Sequence, residues 1–229
     1  MCNHRTRACV AVRTSTESLV VTCLRHGESV ANVGLATTDP LSIGLTPRGL
    51  EQARAAADSI HEAPHLFVSS GATRAILTAA PSCRKFPNTP HTVWEIQEFT
   101  YLDPSGCVGT TIEQRRPLVQ EYWARSDVDA RDSAGAESFR SFIDRVRRMF
   151  RRLAQVRAEG GRTVVVFGHG QFFQAAAWLV RAQPFEIDGA QMRAFRAIDM
   201  DSMIGNAQGI RFLLHGGRWS VVGCVDAVI

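Results

Sequence analysis

The chain has 229 residues, 45% of them hydrophobic, and a net charge of +4 carried almost wholly by arginine. That length suits one larger α/β domain or at most two small ones, and the lack of any run of about 18 apolar residues excludes a membrane-spanning helix. Six scattered cysteines (Cys2, Cys9, Cys23, Cys83, Cys107, Cys224) with no CxxC pair argue against a zinc-ligand set and against a small disulfide scaffold. The arginine excess reads as compositional bias rather than a nucleic-acid surface, although a mild positive field helps to steer an anionic substrate. Met1 to Thr16 is polar and has no apolar h-region. Residues 1–17 are therefore expected to form a flexible tail, and the protein to be cytoplasmic.

The first strand is predicted over Leu19 to Leu24, which leaves Arg25 and His26 at its C-terminal end. Thr46-Pro47 opens a helix, threonine being a good N-cap and proline suiting the first helical position. Leu50, Ala53, Ala57 and Ile60 recur on one face of it. A second strand, from His65 to Ser69, ends near Ser70, and a helix with Arg74, Ile76, Leu77 and Ala80 follows. A third strand, from Thr92 to Ile96, leads into Gln97-Glu98-Phe99. Asp103-Pro104-Ser105-Gly106 signals a turn, and a helix is expected from Thr111 to Arg125. Ser126 to Gly135, rich in Asp, Ser and Gly, reads as loop.

Glu137 to Glu159 is predicted to be a long amphipathic helix with Phe139, Phe142, Ile143, Val146, Met149, Phe150 and Leu153 as its apolar stripe. Arg140, Arg147, Arg148, Arg151 and Arg152 lie largely off that stripe and read as a solvated face. Gly160-Gly161 ends the helix. Arg162 to Phe167 is a β-branched strand and Gln171 to Val180 a buried helix. Ile210 to His215, Gly216-Gly217 and Arg218 to Val222 form a β-hairpin with a Gly-Gly turn. Strands alternating with helices predict an α/β three-layer sandwich: a mostly parallel central sheet, helices on both faces and a C-terminal β-hairpin. Ligands in such sheets sit beyond the C-terminal strand ends, where Arg25, His26 and His169 fall.

Those residues suggest phosphoryl chemistry. An imidazole flanked by arginines can attack phosphorus directly and form a phosphohistidine, and its tautomer is set by the hydrogen bond that the other ring nitrogen makes. Arg-His-Gly alone is weak evidence, since it arises by chance in about one chain in fifty of this length; its place after an apolar strand adds to it. Arg25 and Arg74 would neutralise phosphoryl oxygens. Gly168-His169-Gly170 would bring a second imidazole and a helix N-terminus, with the flanking glycines permitting close approach. Taken singly, Arg74 reads as a helix-surface arginine and His169 as a satisfied turn histidine. A leaving alkoxide needs a proton, so a carboxylic acid is expected nearby. Glu95 and Glu98 are the candidates at the end of the third strand, each otherwise a surface glutamate.

With these segments assembled, the chain resembles the histidine phosphatase superfamily, phosphoglycerate-mutase-like branch. Leu24-Arg25-His26-Gly27-Glu28-Ser29 is similar to the family signature, with Asn32 at the spacing of its asparagine. Asp39-Pro40-Leu41, then Leu45-Thr46-Pro47-Arg48-Gly49 through Gln52-Ala53, resembles the family's next stretch, with extra residues between Pro40 and Leu45. Ser69-Ser70 to Arg74-Ala75 and Thr78-Ala79 resembles its arginine motif. Ile96-Gln97-Glu98 resembles the segment that carries the acid, which favours Glu98 over Glu95, although Leu102 replaces the usual glycine. Glu137-Ser138-Phe139 with Arg145-Val146, Gly168-His169-Gly170 and Gly205-Asn206-Ala207 also fit in order. The resemblance spans residues 19 to 222. It implies His26 as phosphorylated nucleophile, with Arg25, Arg74 and His169 completing a phosphate pocket that Asn32 and Gly170 line, and no metal or other cofactor.

The family contains mutases and phosphatases, and what covers the site separates them. Only about forty residues lie between Glu98 and the helix near Glu137, and the paired-arginine motif of the mutases is not intact. A short cover admits water, so a phosphatase for a small phosphorylated metabolite is favoured over a phosphotransferase or a catalytically weak phosphate-binding module. Residues 18–229 are read as one catalytic domain with a cap segment at about 99–136. Tyr101, Arg115, Arg116, Tyr122, Trp123 and Arg125 are its specificity candidates, the aromatics reading equally as cap packing, Trp123 above all. Neither nucleic acid nor membrane is expected as partner. The oligomeric state is left open, a homodimer being one option.

Overall fold

Val164, Val165, Val166 and Phe167 are all buried, which is what a parallel strand covered on both faces requires. They belong to β4 (Thr163–Gly168), which lies between β1 (Leu19–Arg25) and β2 (Leu66–Ser70) and runs parallel to both. The computed structural model describes residues 18–34, 36 and 39–226, so the tail expected over 1–17 lies outside the described residues. β3 (His91–Trp94) pairs parallel with β2. On the other side, β5 (Gln208–His215) runs antiparallel to β1, and β6 (Arg218–Asp226) antiparallel to β5. The six-stranded sheet thus has the order β3-β2-β4-β1-β5-β6. Gly216 and Gly217 turn the final hairpin with φ of 55° and 78°. Two successive positive φ values suit glycine, which carries no Cβ to clash there.

Alternation along the strands divides the core between the two faces of the sheet. Leu24, Phe67, Val165 and Phe167 point to one side, against Ala56 of α1 (Pro47–Asp58) and Ala79 of α2 (Thr73–Lys85). Val21, Cys23, Val68, Val164 and Val166 point to the other, against α5 (Phe139–Ala158) and α6 (Gly170–Ala182). α3 (Pro104–Cys107) and α4 (Ile112–Arg125) lie in the segment between β3 and α5. The expected three layers and terminal hairpin are present, in a mixed sheet. The turn expected around Pro104 is a one-turn helix, capped by Asp103.

In two places the chain departs from the periodicity reading. α1 buries Gly49, Ala53, Ala56 and Ala57, and leaves Leu50 exposed. A Cβ at Gly49 would lie 2.0 Å from the Glu28 carbonyl oxygen, and one at Gly27 would lie 2.4 Å from the Gly49 oxygen. Backbone-to-backbone contact therefore docks the first turn of α1 on the loop after β1, and Leu50 is rotated outward. The second departure is α7 (Gly189–Asp201), a helix that the sequence reading passed over. Asp188 caps it through the Gln191 N–H, and Met192 and Phe195 anchor it to the core.

Candidate active site

The register of the central strands sets the site. Arg25 pairs with Gly168, and Ser69 with Phe167, so the residues that follow, His26, Ser70 and His169, emerge together. The His26 N–H donates to the Gly168 carbonyl at 2.9 Å. Its own carbonyl accepts from the Asn206 amide at 3.1 Å and from the Ala207 N–H. The rings of His26 and His169 lie 5.2 Å apart, centroid to centroid, at 66°.

Each tautomer follows from the partners. His26 Nδ1 sits 2.7 Å from the Gly27 carbonyl, which can only accept, so Nδ1 carries the hydrogen. Nε2 is then an unprotonated lone pair, and it accepts from Arg74 Nε at 3.1 Å. His169 Nδ1 accepts from Arg74 Nη2 at 3.2 Å, which leaves Nε2–H to donate to Ser70 Oγ at 2.7 Å. Burial pushes the His26 pKa down to about 3, helped by Arg74 and Arg25 and opposed by the Gly27 bond. Burial and the same arginines also hold the wholly buried His169 well below its ordinary value. Both rings are neutral at physiological pH. As bonded, His169 accepts from Arg74 through Nδ1 and turns its N–H to Ser70.

Carbonyl groups aim the arginines. Arg74 Nη1 donates to the Pro40 carbonyl and Arg25 Nη1 to that of Ile204, both at 2.6 Å. A Cβ at Gly170 would come within 3.3 Å of Arg25 Cδ, so glycine there lets the arginine lie flat against the start of α6. Arg25 Nε is buried without an acceptor, a costly state for a guanidinium N–H and one that an anion would relieve.

Glu98 closes the site from the β3 side. Its Oε1 accepts from the Phe172 N–H at 3.1 Å and its Oε2 from the Gln171 N–H at 3.4 Å, at the N-terminus of α6. Burial raises its pKa from the ordinary carboxylate value, against the pull of Arg25, Arg74 and the Gln171 N–H. Glu95 is exposed and lies outside the cavity. Arg145 is buried on α5 and forms a bidentate pair with Glu137 at 2.7 Å per bond. Its Nη1 donates to the carbonyls of Glu95 at 3.2 Å and Gln97 at 3.0 Å. The paired Glu137 and Arg145 of the sequence motif thus hold the backbone from which Glu98 projects.

Arg25, His26, Arg74 and Glu98 line a cavity of about 490 Å³, whereas His169 is fully buried and is not among its lining residues. Asn32, Gly170, Tyr101 and Arg115 line the cavity; Asn32 Oδ1 accepts from Ser29 and from Asn206. Arg116 does not line it. Adjacent helix positions lie about 100° apart, so α4 turns Ile112, Arg115 and Val119 inward, while Arg116 pairs with Glu113 in solvent at 2.6 Å. Tyr122 and Trp123 are core packing among Phe99, Tyr101 and Phe139, and Arg125 pairs with exposed Glu121. Sequence reasoning missed Ser70, Gln171, Arg196 and Asp199. Asp199 accepts from Gln171 at 2.8 Å and Arg196 at 2.7 Å. The capping Asp188 before Met192 and Phe195 was the available signal for the helix that carries the last two. Among the described residues no group of three or more His, Cys, Asp or Glu side chains is arranged to hold a metal ion. Among them, too, no helix is long and apolar enough to cross a membrane.

A mixed sheet whose parallel strands end beside two imidazoles, two guanidiniums and a carboxyl group defines a class, and the family comparison agrees with it. The model of the histidine phosphatase superfamily (branch 1) matches residues 21–226, and the chain belongs to that superfamily. Among solved structures, it is similar to mycobacterial glucosyl-3-phosphoglycerate phosphatase, with 25% identity over 90% of this chain and 97% of that one, at a TM-score of 0.67. A phosphoserine phosphatase from Entamoeba histolytica, in complex with 3-phosphoglyceric acid, shares the fold at 19% identity, covering 92% of this chain and all of its own, with a TM-score of 0.71. The alpha-ribazole phosphatase from Shigella flexneri does so at 18%, over 92% and 98%, with a TM-score of 0.68. No curated protein sequence matched the chain.

Proposed function

We infer that the chain is a phosphatase that hydrolyses a small phosphomonoester through a phosphohistidine on His26, without a metal ion. The observation that carries this reading is the unprotonated Nε2 of His26, held at 3.1 Å from Arg74 while Nδ1 is pinned to the Gly27 carbonyl. In the first step Nε2 attacks phosphorus, the bond from phosphorus to the ester oxygen breaks, and Glu98 gives its proton to that oxygen. In the second, Glu98 takes a proton from water, the water oxygen attacks phosphorus, and the N–P bond breaks to release inorganic phosphate.

Arg25 and Arg74 bear the phosphoryl charge in both transition states. A bound dianion opposes the desolvation and arginine effects that keep His169 neutral, and so favours a proton on its Nδ1, which can then donate to phosphate. Residues 18–229 act as one catalytic domain, with the segment 99–136 as its specificity cover. A phosphatase is favoured over a phosphotransferase because this cover consists of one short helix, α3, and the fourteen-residue α4. The mycobacterial relative, 25% identical, is itself named as a phosphatase, which supports the same choice.

The test is a rapid-quench reaction with a radiolabelled phosphomonoester. Acid-labile, base-stable label should appear on the wild-type chain and be absent from His26→Ala, with free phosphate as product. Isomerised ester without free phosphate would mark a phosphotransferase, and binding without label a phosphate-binding module.

A further inference from the structure

Beyond the phosphate end, much of the cavity wall is apolar. On α4, Ile112, Arg115 and Val119 stand at positions i, i+3 and i+7 and form one inward stripe, faced by Leu102 and Met203. Tyr101 adds its ring, backed by Tyr122 at 4.8 Å. Arg115 is tied to its own helix start: Nη1 donates to the Thr110 carbonyl at 2.7 Å, to Thr110 Oγ1 at 2.8 Å and to the Cys107 carbonyl at 3.4 Å. Arg196 pairs with Asp199 at 2.7 Å and lies 4.8 Å over the Trp123 ring. Among the described residues lining the cavity, the cations other than Arg25 and Arg74 therefore already have acceptors. A substrate bearing a second anion would have to shed water against an apolar wall, beside the carboxylate of Asp199, and compete with the Thr110 and Cys107 oxygens for Arg115, which is costly.

We propose that the substrate is a phosphomonoester of a neutral alcohol with an apolar body about the size of an aromatic ring, its phosphate being its one anionic group. This rests on the phosphatase reading and narrows it. The apolar body packs against the α4 stripe, Leu102 and Tyr101, while the phosphate lies between Arg25 and Arg74. A cavity of this volume accommodates both.

Three esters of alkyl alcohols test this with the full chain: benzyl phosphate, glycerol phosphate and phosphoglycerate. All require protonation of an alkoxide, so their chemical demands are alike and pocket contacts separate them. kcat/KM should fall in that order, by about tenfold or more between benzyl phosphate and phosphoglycerate. In Ile112→Arg, a change at a residue 56% exposed and outside the core, the ratio of benzyl phosphate to phosphoglycerate should fall by about tenfold. Phosphoglycerate or glycerol phosphate as the best of the three, or a ratio unmoved by Ile112→Arg, overturns the inference and leaves the phosphatase reading intact. Phosphate released from none of them, together with no phosphohistidine, removes that reading and this inference with it.

Discussion

At the inner end of the cavity the chain holds each group from several directions. Arg74 bonds to His26, His169 and Pro40, Arg25 to Ile204, and His26 to Gly27, Gly168 and Asn206. At the outer end α4 contributes one helix face, on which Ile112 is more than half exposed. Arg116, one position from that face, pairs among the described residues with Glu113. The inner geometry depends on strand register and paired buried polar groups, so it tolerates little change. The outer surface depends on shallow apolar contact, which many residues can supply. Chemistry is thus expensive to alter and specificity cheap, which suits a family whose members act on different phosphate esters.

The sharpest way to break this contrast is at Glu98. Glu98→Gln should lower kcat/KM for an alkyl phosphate by about a hundredfold or more, and that for p-nitrophenyl phosphate far less, because kcat/KM reports only the first step and the nitrophenyl leaving oxygen needs no proton. Wild-type rates on alkyl esters should fall as pH rises through the raised Glu98 pKa, and this limb should vanish in the variant. Should Glu95→Gln show the pattern instead, the acid is misassigned.

Arg145 probes the support behind the inner end. Arg145 and Glu137 are 7% and 18% exposed, so Arg145→Met should cost about 3–5 kcal/mol in urea unfolding by stranding a buried carboxylate. A loss under about 1 kcal/mol, the range of an exposed pair, would erase the difference between the two ends. Acid titration is gentler. The folded pKa of His26 is lowered to about 3, so below the ordinary histidine value near 6.5 the unfolded chain takes up a proton that the folded chain refuses. Stability is therefore complete above about pH 6.5 and is lost as pH falls from there toward 3, by about 1.4 kcal/mol per pH unit for this ring. His26→Ala should flatten that slope, and unfolding free energies equal at pH 7 and pH 5 would contradict the buried neutral ring. The smallest effect belongs to Arg116→Ala, which should stay within about 0.5 kcal/mol in stability and keep wild-type selectivity. A selectivity change there would bring Arg116 back to the substrate.

How legible each part was depends on how local its cause is. β4 was readable because a strand buried on both faces must be continuously apolar, and α1 began where Thr46-Pro47 said it should. The outward turn of Leu50 was not readable, because it follows from Gly27 and Gly49 meeting across 22 residues. Arg25 and Arg74 could be picked out as the arginines of the cavity, whereas the carbonyls of Ile204 and Pro40 that aim them have no side-chain signature. Arg115 and Arg116 looked equivalent as a pair until the rotation of α4 separated them. Glu98 came forward over Glu95 by resemblance; spacing left both open, and the Gln171 and Phe172 N–H groups that hold the Glu98 carboxylate come from a distant helix.

Residue order alone carried the fold class, the strand ends and the family, since apolar periodicity and motif spacing are written along the chain. Protonation states, the choice between neighbouring charges and the apolar wall of the cavity were decided only in three dimensions. Burial, tautomer and pairing depend on what distant segments bring within hydrogen-bond reach, and no local pattern encodes that.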